Sequence, residues 1–403
     1  MKEQEFKYQR KELELKALLE ITQAINENQS ESVLVNIFKF TCLVHLELKS
    51  LVLYVFKEGQ FEQKIAHGVK YKIPSSLALD QVKDQKETGQ MSIQLPDGYS
   101  FEELETYLPV YHKNSMLAIL FLKRKHVAQE LDLDFTQALT NILVVALENK
   151  RFARKQLEQE VLNREVAIAS QVQQMLFPST LPENGRIKAK VTYFPHSMVG
   201  GDYYDLIQKS EDTIYFCIAD VSGKGIAAAL LMSNFQAALR TLLRSDASLE
   251  TIVRQLNYTL FDNTKGERFI TFFLGEYRFS TQTLRFINAG HNPPILCRED
   301  SMQGETLEAG TTILGAFEEL PFMEVGSRTN LGKFMIHLYT DGLTETINPN
   351  EEEFGEDRFR AFAEGNICMD PDMFHRNFLE EINKFSKDQP LRDDLTLLSL
   401  RIA

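Results

Sequence analysis

The sequence contains no tryptophan, few cysteines and no uninterrupted run of eighteen apolar residues. Without such a run, we expect no helix to span a membrane. The charged N-terminal stretch, MKEQEFKYQRKELELK, lacks the apolar core of a secretory signal. The cysteines show no CxxC spacing, so neither a structural zinc site nor a disulfide framework is expected: Cys42, Cys217, Cys297 and Cys368. These absences favour a reducing, cytoplasmic location.

Positively charged residues are fewer than negatively charged ones. The chain has 44 lysines and arginines against 57 aspartates and glutamates, which gives a formal net charge of −13 at pH 7. This acidic balance is not the electrostatic footprint of a nucleic-acid binder, so we expect no nucleic-acid partner. The 403 residues, 43% hydrophobic and 25% charged, otherwise have the composition of a globular protein with room for two or three domains.

Residues 1–131 are predicted to form a small α/β module. Apolar residues recur at helical spacing over residues 1–27, and Ser30 is the predicted N-cap of a second helix, Val33–Leu48. Strands are predicted at Ser50–Phe56, Phe61–Ile65 and Ser115–Leu122, the first two joined as a hairpin. This order resembles the layout of GAF sensor domains, and the resemblance implies an unknown small-molecule or protein signal. A dimerisation module without a ligand is the alternative, because the module has no ligand motif.

Residues 132–184 are predicted to form a connector built on one long helix. No proline or glycine occurs between Asp132 and Leu176, and a helix of that length would be a rod of roughly 67 Å. Its apolar residues are three to seven positions apart, and its charged middle has too few of them for a core helix. The pattern favours a parallel coiled coil, and therefore a homodimer. A long surface helix lying on one domain is the alternative. Pro178 and Pro182 are expected to end the helix.

Residues 185–403 are predicted to form an α+β domain. Its strands come as hairpins, which favours antiparallel sheets covered by helices. The predicted strands are Arg186–Phe194, Tyr203–Gln208, Thr213–Ala219, Phe269–Phe279, Thr283–Asn288, Pro294–Cys297, Phe334–Tyr339 and Leu395–Arg401. The predicted helices are Gly225–Arg244, Ser248–Phe261 and Met373–Phe385.

Aspartates occur where four of these strands begin or end. They are Asp202, Asp220, Asp341, and Asp393 or Asp394. One such aspartate is an ordinary turn residue, but four in one domain are hard to assign to turns. Neighbouring strands lie roughly 4.8 Å apart, so a hairpin would bring Asp202 close to Asp220. Close carboxylates repel unless a proton or a cation lies between them, and oxygen ligands suit Mg²⁺ or Mn²⁺.

Five ordered motifs resemble the PPM (protein phosphatase 2C-like) serine/threonine phosphatases of the SpoIIE and RsbU branch. They are VGGDYYD, ADVSGKGIAAALLM, INAGHNPP, YTDGLTE and RDDLTLL, and VAIASQVQQMLFPSTLP resembles the regulatory helix that enters this domain. The resemblance, over residues 160–403, implies an antiparallel β-sandwich flanked by helices, with two Mn²⁺ or Mg²⁺ ions between the sheets. The ligands it implies are Asp220 as the bridge, the Val221 carbonyl beside it, Asp202, Asp341, and Asp393 with Asp394 as its neighbour.

Three further residues of these motifs have more than one interpretation. His291 is the only histidine in a motif, and we interpret it as a turn residue whose ring binds the backbone, with a part in catalysis as the alternative. Many superfamily members carry Gly-His after the bridging aspartate, where this chain has Val221-Ser222. Lys224 is either a phosphate contact or an exposed loop lysine. Asp205 is interpreted as a turn residue or as a support behind the ligands.

The resemblance implies a phosphatase acting on phosphoserine or phosphothreonine of a regulatory protein, through a water that bridges two ions. It further implies a STAS-type anti-anti-sigma factor as substrate. Regulation by the N-terminal module is a hypothesis that rests on the uninterrupted helical pattern from Asp132 to Leu176. A non-catalytic binding module on the same fold is one alternative. A nucleotide cyclase is another, since Gly200-Gly201-Asp202 superficially matches a diguanylate cyclase signature. That signature requires Glu-Phe where this chain has Tyr203-Tyr204.

Overall fold

The structure is a computed structural model in which residues 2–78, 82, 98–101, 104–112, 115–126, 131–301, 303–367, 369–387 and 389–403 are described. Cys368 lies outside the described residues, and the other three cysteines are buried and free. The chain divides into two compact units, Met1–Glu160 and Val161–Ala403. Both mix helices with antiparallel sheets, as the sequence predicts.

The first unit is an antiparallel sheet with helices on one face. Its helices are α1 (Lys2–Asn26), α2 (Glu31–Val44) and the first part of α3 (Leu133–Gln174). Its strands are β1 (Leu48–Lys57), β2 (Gln60–His67), β3 (Ser76–Ala78), β4 (Thr106–His112) and β5 (Ser115–Arg124), in the order β3-β2-β1-β5-β4. Ser30 caps α2 as predicted. The helix ends at Val44 rather than at Leu48, because Glu47 has a positive φ of 51° and Leu48 already begins β1.

Alternate residues of β1 pack into two separate cores. Leu51, Leu53 and Val55 face the helices, whereas Val52 and Tyr54 face the other side. The second side is filled by aromatic rings, and the Phe101 and Phe121 rings stack there with centroids 4.8 Å apart. The fold of this unit is therefore the predicted α/β module, and its likeness to a GAF domain stays a prediction.

Helix α3 is continuous over 42 residues and ends before Pro178, as predicted. Several of its apolar side chains are half exposed or more: Phe152, Leu157, Val161, Ile168 and Val172. Apolar side chains left in solvent along one helix fit the coiled-coil prediction, which stays a prediction.

The second unit is a β-sandwich with helices on both outer faces. One sheet contains β7 (Tyr203–Gln208), β8 (Thr213–Val221), β9 (Ile270–Arg278), β10 (Thr283–Ala289), β13 (Gly310–Thr311) and β14 (Gly326–Arg328). The other contains β6 (Ile187–Phe194), β11 (Ile295–Arg298), β12 (Gly304–Thr306), β15 (Phe334–Tyr339) and β16 (Leu395–Ile402). Their pairings are antiparallel apart from the short parallel contact of β10 with β13.

Helices cover the outside of each sheet. Helices α4 (Ile226–Leu243) and α5 (Leu249–Thr264) pack on the β7–β10 sheet, whereas α7 (Gly355–Gly365) and α8 (Pro371–Ser386) pack on the β15–β16 sheet. A short helix, α6 (Asp341–Thr344), follows β15. In the described part of the chain, α4 alone has the length and apolar composition of a membrane span. Here Met232, Phe235 and Leu239 of α4 pack into the core instead.

Candidate functional site

The two-residue repeat of the strands decides which side chains face the space between the sheets. In β8, Ile214, Phe216 and Ile218 face inward. The next residue in that row is Asp220. In β16, Leu398 and Leu400 face inward. Two residues and four residues before Leu398, the same inward-facing positions are Thr396 and Asp394. In β7 and β15, the inward-facing positions extend to Asp202 and Thr340. Carboxylates and hydroxyls from both sheets therefore meet at one end of the sandwich core.

The hairpin β7–β8 aligns Asp202 with Asp220, as predicted. Its register pairs Tyr203 with Ala219, which places the two aspartates at the next position. Strand β8 continues through Asp220 to Val221 rather than ending before Asp220, because Asp220 pairs with Thr271 of β9. The predicted bridging residue is consequently held within a sheet rather than in a loop.

Asp202 is the most enclosed of these acids, with 1% of its surface exposed. Its Oδ2 atom accepts hydrogen bonds from Thr340 Oγ1, at 2.8 Å, and from Thr396 Oγ1. Burial, and then repulsion from Asp220, raise the pKa of Asp202 well above its ordinary value, although both threonine donors oppose the rise. An uncompensated negative charge is therefore costly at this position.

Asp220 lies within reach of the other predicted ligands. Burial and then the negative charges of Asp341 and Asp393 raise the pKa of Asp220 to about 7. Burial and then Asp393 likewise raise the pKa of Asp341. Mutual repulsion of this kind requires the carboxylates to be neighbours, so the structure brings together residues that are far apart in the sequence.

Asp394 holds the loop that carries Asp202. Its Oδ2 accepts a hydrogen bond from the Gly201 N–H at 2.6 Å, and its Oδ1 accepts one from the His196 N–H at 2.7 Å. Its own N–H donates to Asp393 Oδ1 at 2.8 Å. The Asp394 carboxylate therefore holds the backbone that precedes Asp202, and Asp394 lies next to the predicted ligand Asp393.

Two glycines of the motifs are required by close approaches. A Cβ atom on Gly200 would collide with the Tyr193 hydroxyl and lie 2.5 Å from Asp394 Oδ2. A Cβ atom on Gly342 would lie 2.8 Å from the Asp394 carbonyl carbon. Any side chain at either position would push apart the loops that carry the carboxylates.

Gln173, near the end of α3, binds the backbone of the loop before Asp202. Its Nε2 donates to the Gly200 carbonyl at 2.7 Å, and its Oε1 accepts from the Gly200 N–H at 3.2 Å. The Gln173 side chain is buried. A few residues further on, the Phe177 ring stacks on Tyr204 with centroids 4.9 Å apart. The end of α3 is thus fixed to β7 and to the loop of the site.

His291 links two strands and has no ring nitrogen left for substrate. Its Nδ1 pairs with Thr271 Oγ1 at 2.8 Å, and its Nε2 pairs with the Tyr339 carbonyl at 3.1 Å. Burial lowers the pKa of His291 to about 4, so the ring is neutral near pH 7. The ring does bind the backbone, as interpreted from the sequence.

Asp205 lies outside the carboxylate cluster. It belongs to strand β7 rather than to a turn, and its side chain faces α4 because it is one residue out of step with the inward row. Its Oδ2 is 2.7 Å from Arg240 Nε, and it also accepts a hydrogen bond from the Tyr203 hydroxyl at 2.6 Å. Asp205 therefore attaches α4 to the sheet.

The carboxylates fit a hard divalent cation in their chemistry. All their donor atoms are oxygens, and their mutual repulsion would be relieved by positive charge. Among the described residues, however, no group of three or more acidic, histidine or cysteine side chains is arranged so that it could hold a metal ion as it stands. The carboxylates therefore converge at one end of the sandwich without forming a ready-made metal site.

The sequence did not predict the roles of Thr340, Thr396 and Gln173. Both threonines stand in the quoted motifs, at inward positions of their strands. That alternation is a signal that could have identified them. Gln173 carries no such signal, because its partner is a backbone group 27 positions away.

Comparison with known proteins agrees with this fold. Residues 210–403 match the model of the family described as Stage II sporulation protein E (SpoIIE). The chain is 29% identical to phosphoserine phosphatase RsbU of Bacillus subtilis (strain 168) over 243 residues, which cover 60% of this chain and 71% of RsbU. It is 28% identical to phosphoserine phosphatase RsbP of the same organism over 187 residues, 45% of each chain.

Among solved structures, the SiaA-PP2C domain of Pseudomonas aeruginosa superposes with a TM-score of 0.54 at 19% identity, covering 61% of this chain and 99% of that one. At this identity the superposition shows the fold alone. The family match and the two relatives support a protein serine/threonine phosphatase, and the superposition shows that its fold is PP2C-like. The C-terminal domain is similar to the SpoIIE/RsbU branch of these phosphatases, since the family match covers residues 210–403 and RsbU is 29% identical.

Proposed function

We propose that this phosphatase uses two divalent cations, Mn²⁺ or Mg²⁺, held by the carboxylates at the end of the sandwich. The observation that supports this is the meeting of carboxylates from both sheets at one end of the sandwich, where burial and the charges of Asp341 and Asp393 also raise the pKa of Asp220. Groups from three separate strand ends gain nothing for the fold by facing one another. A bound cation would turn their repulsion into attraction.

Each residue then has a distinct task. Asp220 would bridge the cations, with the Val221 carbonyl beside it. Asp202 and Asp341 would complete the shell of ligands. Asp393 would hold the second cation, with Asp394 as its neighbour and as the support of the Gly201 backbone. Such cations would supply a nucleophilic water at neutral pH and neutralise phosphoryl oxygens. Thr340 and Thr396 orient Asp202, and His291 keeps the strand ends in place.

The catalytic proposal is tested with p-nitrophenyl phosphate. We expect Mn²⁺-dependent release of p-nitrophenol that Asp220→Asn abolishes. Asp246→Asn is the matched control, because Asp246 is a fully exposed aspartate outside the site. If no metal condition gave release, a non-catalytic binding module would be favoured. Incubation with GTP and Mg²⁺ tests the cyclase alternative, which gives Asp341 and Asp393 no role.

The natural substrate is proposed to be a phosphorylated regulatory protein, a STAS-type anti-anti-sigma factor. Support comes from the relatives, because RsbU and RsbP are named phosphoserine phosphatases. The test incubates the chain and Mn²⁺ with candidate phosphorylated STAS proteins from the same genome, followed by intact-protein mass spectrometry. Loss of one phosphate with wild type but not with Asp220→Asn is expected. Intact phosphoproteins, alongside active release of p-nitrophenol, would point to another class of substrate.

The N-terminal unit is proposed to regulate the site through α3, which is continuous to the Gln173–Gly200 contact. The half-exposed Val161 and Ile168 are seven positions apart, a coiled-coil spacing that supports a homodimer. Ala167→Pro would interrupt the helix, and Ala167→Gln is the control that preserves it. We expect the proline variant alone to change the phosphatase rate, and to weaken dimerisation in sedimentation velocity. An unchanged rate would contradict coupling through the helix.

A further inference from the structure

The Lys224 side chain makes two contacts with the loop that enters β16. It lies in the loop between β8 and α4, and its Nζ is 2.8 Å from Asp393 Oδ2. The same Nζ donates a hydrogen bond to the Arg392 carbonyl at 2.6 Å. Its side chain is 51% exposed and that of Asp393 33% exposed. One ammonium group therefore joins the loop after Asp220 to the loop that enters β16.

The loop that carries Lys224 has a defined path. Gly223 and Gly225 on either side adopt φ of 94° and 76°, values that favour glycine. The Arg268 guanidinium donates to the Ser222 carbonyl at 3.0 Å, and Ser222 Oγ accepts from the Phe269 N–H at 2.9 Å. Since the loop is fixed to the beginning of β9, the lysine is directed to Asp393 by the backbone.

We propose that Lys224 is a built-in competitor of the divalent cation at Asp393. It holds Oδ2 of the carboxylate that the proposed function assigns to the second cation, and this inference rests on that assignment. A cation arriving at Asp393 has to displace the ammonium group, so Lys224 weakens binding at that position and not at Asp202. Lys224 therefore raises the metal concentration that is needed to occupy this position.

The expected size of the effect follows from the exposure of the pair. An ion pair in partial contact with solvent contributes little, equivalent to roughly two- to fivefold in a binding constant. A divalent cation with several carboxylate ligands can overcome such a competitor. The ion pair therefore sets the threshold for filling rather than blocking the site.

The test compares Mn²⁺ binding to the full-length wild type, Lys224→Met and Lys224→Arg by isothermal titration calorimetry. Lys224→Met removes the charge and keeps most of the side-chain volume, whereas Lys224→Arg keeps the charge. We expect the methionine variant to bind one Mn²⁺ about two- to fivefold more tightly, and the arginine variant to resemble wild type. Unchanged or weaker binding by Lys224→Met would overturn the proposal. So would a raised KM with unchanged Mn²⁺ binding, which would identify a phosphate contact.

A double substitution separates this inference from the proposed function. In an Asp393→Asn background, adding Lys224→Met should leave Mn²⁺ binding unchanged, because the carboxylate for which the two cations compete is gone. If wild type hydrolyses p-nitrophenyl phosphate with Mn²⁺ but the lysine has no effect on binding, the competition fails and the proposed function stands. If wild type binds no Mn²⁺ at all, both are overturned.

Discussion

Thr340 donates a hydrogen bond to Asp202 over 2.8 Å and thereby connects the two sheets of the sandwich at the site. The residues are 138 positions apart. The same hydroxyl accepts the Thr396 N–H at 3.0 Å, so it is held from the second sheet while it orients a carboxylate of the first. The alignment of Asp202 therefore depends on the packing of the whole sandwich.

Replacing this hydroxyl should weaken metal binding without unfolding the domain. Thr340→Val keeps the shape of the side chain but removes the donor to Asp202. Loss of a group that orients a metal ligand typically lowers affinity by about 10- to 100-fold, and we expect the lower end because Thr396 remains. Mn²⁺ titration and the rate of p-nitrophenol release measure the effect. Thr241→Val, on the exposed surface of α4, is the control, and equal affinities for the two variants would argue against the role of Thr340.

The raised pKa of Asp220 makes the stability of the metal-free protein depend on pH. The unfolded aspartate loses its proton near pH 4 and the folded one near pH 7, so folding binds a proton between these values. Stability is therefore full below pH 4, falls as the pH rises towards 7 and stays low above it. Asp220→Asn should remove this loss and stabilise the chelated protein at pH 8 but not at pH 4, by roughly 4 kcal/mol at most, because the pKa rises from near 4 to about 7 on folding.

Urea unfolding in the presence of a chelator at several pH values measures this difference. The same substitution is expected to abolish hydrolysis, so it separates stability from activity at one position. A variant that was less stable than wild type at pH 8 would show that the Asp220 carboxylate supports the fold.

Gln173 offers a local test of the contact between α3 and the loop of the site. Gln173→Leu should leave the Gly200 N–H and carbonyl without partners, at a cost of about 1–3 kcal/mol. Since Gly200 precedes Asp202 by two residues, we also expect a lower rate of hydrolysis at limiting Mn²⁺. Gln174→Leu is the matched control, because the neighbouring glutamine is exposed. Similar stability and rates for both variants would contradict the role of Gln173.

The ion pair of Arg240 with Asp205 is expected to stabilise the domain without contributing to the chemistry. Arg240→Met leaves the Asp205 carboxylate, which is 1% exposed, without its cation. Removing one partner of a buried pair costs roughly 3–5 kcal/mol, and we expect about 2 kcal/mol because Arg240 is partly exposed.

Chemical denaturation of Arg240→Met and of the control Arg244→Met measures this cost, and Asp205→Asn in the Arg240→Met background should recover part of the loss. The Mn²⁺ affinity of folded Arg240→Met should equal that of wild type. A large change in affinity would show that Asp205 contributes to the metal site after all.

The parts of the site that follow from local pattern could be predicted from the sequence. The apolar runs located β7, β8, β15 and β16, and the short hairpin was enough to bring Asp202 close to Asp220. The ion pair of Lys224 with Asp393 could not be predicted, because a flexible side chain chooses its partner only when two distant loops meet. For the same reason Asp394 looked like a plain neighbour of Asp393, whereas its carboxylate holds the Gly201 backbone. The short α6 and the helix α7 were also missed, since neither has a long apolar repeat.

Strand β16 lies in the middle of its sheet, between β15 and β6, yet it is synthesised after both. Asp393 and Asp394 lead into it, and Thr396 within it completes the environment of Asp202. A chain without these residues would have a gap between β15 and β6 and would lack part of the carboxylate cluster. Residues 393–402 therefore complete the sheet and the site in one step, so we expect the domain to tolerate no truncation at this strand.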